Sequence, residues 1–187
     1  MSTSSWIILG VIVVLALFVI TTYNGLVTLR QRFNQSFSDI DVQLKQRHDL
    51  IPNLVETVKG YAAHERGTLE AVVQARNAAV TAQGPAQQAA AENALTGALR
   101  QIFALQEAYP NHKANETFQQ LQAELTDLVN KIAASRRFFN NAVQEYTTGI
   151  QRFPAALFAG MLGFSEKQFF DLGTERQTVA EAPQVKF

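Results

Sequence analysis

Trp6–Tyr23 reads WIILGVIVVLALFVITTY, eighteen residues with no charge and no proline. A bilayer's hydrocarbon core takes about 20 mostly apolar helical residues, with a lower limit near 17, so this run is long enough to cross it. The membrane-spanning side chains are expected to be Ile7, Ile8, Leu9, Val11, Ile12, Val13, Val14, Leu15, Leu17, Phe18, Val19 and Ile20. Trp6 and Tyr23 bracket them, aromatic rings of the kind that favour the two membrane–water interfaces. A cleaved signal peptide would want a positive leading region, an apolar centre of roughly 7–15 residues and a small-x-small cleavage site. Met1–Ser5 carry no Lys or Arg, and Ile20 is followed by Thr-Thr-Tyr-Asn, so the run is expected to stay as an anchor. No charged residue precedes Arg30, whereas Arg30, Arg32, Lys45 and Arg47 follow the run. The positive-inside rule then predicts a single pass with the N-terminus outside and the body in the cytoplasm.

The remainder of the 187 residues is one ordinary domain's worth of chain, with room for a core. Lys plus Arg equals Asp plus Glu at 16 each, so net charge gives no argument for a nucleic-acid partner, and none is expected. The absence of cysteine removes disulfides, thiolate nucleophiles and cysteine-ligated metals together. Ala and Gln are abundant from Ala62 onward and Gly and Pro are sparse, which favours helix.

Four apolar stripes follow the anchor. Leu26, Phe33, Phe37, Ile40 and Leu44 share one helical face, with Arg30, Arg32, Gln35, Asp39 and Lys45 on the wet side. Asp49-Leu-Ile-Pro-Asn53 is the first punctuation, because Pro52 has no amide hydrogen and disfavours helical geometry at Ile51. A tight turn into a second helix is the favoured reading there, and one long kinked helix is the alternative. Val55, Val58, Ala62, Leu69, Val72 and Ala79 make the second stripe, with Glu65 and Arg76 on the same seam, and Gly84-Pro85 opens the next helix. The third stripe is Ala91, Leu95, Ala98, Ile102, Leu105 and Tyr109, ended by Pro110-Asn-His112. The fourth runs Phe118, Leu121, Leu125, Leu128, Ile132, Ser135, Phe139, Ala142 and Tyr146, a four–three repeat that reads as bundle core or coiled coil. Short corners between long helices make antiparallel neighbours. The expected fold class is therefore all-α, an N-terminal transmembrane helix continuing into an up-and-down four-helix bundle. The expected divisions are an anchor over 1–24, the bundle over 25–170 and a polar tail over 171–187.

That topology returns helix four toward the membrane, and a charge-free apolar segment, Phe153–Phe164, follows it. It is too short to span. Either it folds over the end of the bundle and completes its core, or it is an interfacial segment or oligomer contact built on Phe153, Leu157, Phe158, Met161, Leu162 and Phe164. Polar residues also invade the stripes, Arg136 and Arg137 above all. Such groups fix register between helices or form a site for a partner. Signs of chemistry are lacking. His48, His64 and His112 fit no metal-ligand spacing, and no glycine loop would cradle a phosphate, so no enzyme, catalytic residue, metal or cofactor is expected.

Tyr23-Asn-Gly-Leu-Val-Thr-Leu-Arg30 and Asp39-Ile-Asp-Val-Gln-Leu-Lys-Gln-Arg-His-Asp-Leu-Ile-Pro-Asn-Leu-Val-Glu-Thr-Val-Lys-Gly-Tyr61 closely resemble the LemA family. Glu107–Leu121, Arg136-Arg-Phe-Phe-Asn-Asn-Ala-Val-Gln-Glu-Tyr146 and Phe153-Pro154 agree in the right order, so the likeness covers about residues 20–170. Phe139 departs from it, standing where a tyrosine is expected. The resemblance implies an N-terminally anchored protein of the bacterial inner membrane with a cytoplasmic helical bundle and no established catalysis. Some members are linked to shaping or organising internal membranes, in the neighbourhood of membrane proteases. Two functions follow as expectations. One is a scaffold that contacts membrane lipid, forms a homo-oligomer and organises or shapes the bilayer. The other is an adaptor presenting the bundle to another membrane protein, a protease or a signalling partner.

Overall fold

A computed structural model of the chain describes residues 3–60, 62–108 and 115–170. Four α-helices follow one another: α1 (Thr3–Lys59), α2 (Arg66–Thr81), α3 (Gly84–Ala108) and α4 (Asn115–Gln151), with a 3-10 turn at Ala155–Leu157. No strand occurs among the described residues, and the fold is all-α as the stripes predict. The corner at Pro110-Asn-His112, Tyr61, Tyr109 and the tail over 171–187 lie outside the described residues.

At the first corner the structure takes the alternative of one long helix and not the favoured turn. Instead of turning at Asp49–Pro52, α1 runs through Pro52 for 57 residues. A proline inside a helix deprives the carbonyl four residues back of its donor, here that of His48. The Arg76 side chain replaces the missing amide, its Nε donating to the His48 carbonyl at 2.9 Å. Pro52 itself is exposed, so its ring faces water and not a packed neighbour. Val55 and Val58 thus belong to α1, Ala62 to the link, and only Leu69, Val72 and Ala79 to α2. The link closes with backbone bonds from the Ala62 amide to the Val58 carbonyl (2.8 Å) and from the Glu65 amide to the Ala62 carbonyl (3.0 Å).

The chain divides into two compact units, each containing part of α1 and part of α4. One comprises residues 38–137 with 168–170. Its core draws Ile51, Leu54 and Val58 from α1, Leu69, Val72 and Ala79 from α2, Leu95, Leu99 and Ile102 from α3, and Phe118, Leu121 and Leu125 from α4. Contacts fix the directions. Arg47 and Asp41 of α1 meet Glu92 and Gln88 of α3, so these two helices run parallel. Helix α2 comes back between them, as short links require. The α3 stripe is also shifted from expectation: Leu95 and Ile102 are buried, but Leu99 takes the place of Ala98, while Ala91 and Leu105 are half-buried. Leucine at 99 buries more apolar area than alanine at 98, so the helix turns that face inward.

The other unit comprises residues 3–37 and 138–167. Here α1 and α4 run antiparallel, with the Phe33 ring 5.3 Å from Phe139 and 6.2 Å from Tyr146. Phe37 also meets Phe139, at 5.5 Å. Gly149 permits the close approach: a β-carbon there would strike the Leu29 side chain.

Candidate membrane-facing site

Within α1 the apolar run presents an 18-residue window of which none is buried inside the protein. A helix satisfies its own backbone, which is what a lipid environment demands. The polar groups closing the run are satisfied too, since the Thr21 and Thr22 hydroxyls donate to the Phe18 carbonyl at 3.0 and 2.8 Å. This helix is long and apolar enough to cross a membrane.

Where α4 ends, the chain knots into consecutive turns over residues 153–164, after a cis Phe153–Pro154 peptide. Gly163, at φ 77°, adopts a backbone conformation other residues resist, and lets the Phe164 amide reach back to the Ala159 carbonyl at 2.9 Å. The segment has two faces. Ala155, Ala159 and Phe164 point inward and share a core with Leu26, Tyr146 and Ile150. The Phe164 ring meets Tyr23 edge-on at 5.7 Å, and the Arg30 guanidinium lies 4.9 Å over it. Outward stand Phe153 (79% exposed), Leu157 (70%), Met161 (84%) and Leu162 (41%), while Phe158 is half-buried. The sequence candidates therefore sort by burial, with Phe164 a core residue and Phe153, Leu157, Met161 and Leu162 exposed. Burial pushes the Tyr146 phenol above its ordinary pKa, partly opposed by the charge of Arg30. Arg136 is half-buried with its guanidinium 5.8 Å from the Phe170 ring centre, and Arg137 is exposed.

A cluster that the sequence reading overlooks lies in the other unit. Arg47 Nη1 donates to Glu92 Oε2 at 2.8 Å, and Nη2 donates to Thr96 Oγ1 at 2.9 Å. His48 Nε2 lies 2.5 Å from Glu92 Oε1. All three side chains are less than a tenth exposed. Burial pushes the Arg47 guanidinium down from its usual pKa, and the Glu92 carboxylate works against that shift by charge and by hydrogen bond. One signal could have found the cluster. Leu44, Arg47, His48 and Ile51 continue the α1 stripe at helical spacing, as Glu92 does between Ala89 and Leu95 on α3, so each helix has a charged gap on its apolar face. Among the described residues, no group of three or more His, Asp and Glu is placed to hold a metal ion.

An unburied apolar helix long enough to cross a membrane, continuous with a helical bundle, defines the class of a membrane-associated helical protein. The chain belongs to the LemA family, whose sequence profile matches residues 36–187. Magnetosome protein MamQ of Magnetospirillum gryphiswaldense is 25% identical, over 87% of this chain and 70% of its own length. Magnetosome proteins MamQ 1 and MamQ 2 of Paramagnetospirillum magneticum are each 23% identical over the same shares.

Proposed function

We propose that the chain is a single-pass scaffold of the bacterial inner membrane, with its N-terminus outside and its helical body at the cytoplasmic face, and that copies assemble to organise or shape the bilayer. The observation that carries this reading is α1 itself, in which the apolar run and the first helix of the bundle are one element. A unit fixed to lipid at one end repeats laterally whenever two different surface patches fit, because such a contact propagates until it closes. The relatives are magnetosome proteins, and an organising role at a membrane suits that company. The full chain in mild detergent is expected to scatter light as a particle of several copies. A monomer at every concentration would remove self-assembly, and a chain lacking residues 1–24 that still resists extraction from the membrane by alkaline carbonate would remove the anchor. The adaptor reading rests on Arg137, which is exposed. It requires that crosslinking in cells capture a second protein and that Arg137→Ala abolish the capture.

A further inference from the structure

We propose that residues 153–164 are a second lipid contact, whose outer face of Phe153, Leu157, Met161 and Leu162 inserts into the headgroup–acyl boundary of the leaflet that α1 leaves. The inference rests on the reading of α1 as a span and adds a second point of attachment to it.

Depth is the first argument. Tyr23 closes the apolar run, and the inner face of the knot packs on Leu26 while Phe164 touches Tyr23. Three helical residues advance about 4.5 Å, so the knot lies one short step beyond the end of the span. That step is shorter than the depth of about 5–10 Å over which interfacial segments bury their apolar face, so the knot lies within reach of that boundary.

Backbone chemistry is the second. An irregular segment tolerates lipid only if its amides are already bonded. Here seven amides, those of Ala156, Leu157, Phe158, Ala159, Leu162, Gly163 and Phe164, donate to carbonyls within the knot or at the end of α4, at 2.8–3.2 Å. Most of the segment's backbone is thus satisfied internally, while the amides of Phe153, Ala155, Gly160 and Met161 are left to the headgroup region. Turns in water have no such need.

Charge is the third. No charged residue interrupts the chain between Arg152 and Glu166; Arg152 and Lys167 flank the segment in sequence, Lys167 lying 5.7 Å over the Phe33 ring, and Arg30 lies over Phe164 on its inner side. The nearby Glu166 carboxylate accepts from Gln151 at 2.8 Å. Cations close to an apolar segment suit the anionic headgroups of a cytoplasmic leaflet.

Trp6 is the only tryptophan, which makes the test direct. In a Trp6→Phe background, Met161→Trp places a reporter on the outer face, and Gln74→Trp on the exposed side of α2 serves as control. Full-length proteins go into vesicles of zwitterionic and anionic phospholipid with brominated acyl chains. Emission from Met161→Trp is expected to be blue-shifted and quenched at least about two-fold more strongly than the control, as interfacial burial requires. If the parent's Trp6 is quenched and Met161→Trp behaves like the control, the span stands and the second contact is refuted. Shielding of Met161→Trp from aqueous iodide without quenching by lipid bromine would assign the face to a second copy and overturn the inference. An unquenched Trp6 would remove the span, and the inference with it.

Discussion

The bond between Arg76 and the His48 carbonyl makes a quantitative prediction about Pro52. If the arginine stands in for the amide that proline lacks, its value depends on the proline being there. In the native chain, Arg76→Leu leaves a part-buried carbonyl without a donor while keeping most of the aliphatic bulk. Hydrogen bonds to charged groups contribute about 1.5–3 kcal/mol, and an orphaned buried acceptor costs about 1–3. For a chain of this length each kcal/mol moves the midpoint by about 2–4 °C, so the substitution should lower Tm by roughly 3–12 °C. In a Pro52→Ala background the restored amide at residue 52 supplies the ordinary helical bond to His48. Arg76→Leu should then cost less than about 1 kcal/mol, since its remaining contact is an exposed bond to Asn77 at 3.4 Å.

The four proteins form a double-mutant cycle, read by far-ultraviolet circular dichroism on full-length protein in detergent. A coupling of about 1–2 kcal/mol is expected between residues on different helices and 24 positions apart in sequence. Independent substitutions add within about 0.3–0.5 kcal/mol. A coupling inside that margin would show that α1 passes through Pro52 for some other reason, and the account of the first corner would be wrong.

Other substitutions probe the remaining contacts. Glu92→Ala strands a buried Arg47 and should cost about 3–5 kcal/mol in denaturant titration, whereas Arg47→Leu with Glu92→Leu should recover more than half of that loss. Gly163→Ala forces a side chain into the φ 77° conformation at about 1–2 kcal/mol, and should show as faster amide exchange confined to residues 155–164. Because burial raises the Tyr146 phenol's pKa in the folded state, the unfolded chain ionises first as pH climbs past 10.0. Stability is therefore present below that pH and is lost as pH rises toward the folded value; Tyr146→Phe should flatten the decline in an alkaline melting series.

Much of this architecture is written in spacing. Stripes with a four–three rhythm reveal four helices because burial repeats with the helical turn, and α4 follows its stripe from Phe118 to Tyr146 with Ser135 half-buried. Pro52 misled because a local rule was applied to a residue whose missing bond is supplied by Arg76, 24 positions away. No property of the residues near Pro52 reveals that donor. Leu99 was missed for a different reason. In a run of alanines, many faces are apolar enough, and only the neighbouring helices decide which one turns inward. Residues 153–164 read from sequence either as a cap on the core or as an outward contact, and which of them turn inward depends on a turn geometry that hydropathy does not encode.

His48 concentrates what the sequence concealed. Its carbonyl is tied to α2 through Arg76, and its ring is tied to α3 through Glu92, so one residue of α1 fixes two neighbours. Burying an ion pair is costly, and a well-packed apolar pair of similar volume is often as stable or more so. What an apolar pair would lack is register. Leucine and alanine stripes fit one another nearly as well after a slide of one heptad, since the same kinds of side chain come round again. A heptad slide of α3 would face Arg47 with Leu99 or Pro85 in place of Glu92, leaving a buried cation with no counter-charge. The penalty for that, about 3–5 kcal/mol, adds to whatever packing is lost by moving Leu95, Leu99 and Ile102, so the cluster favours one alignment of the bundle.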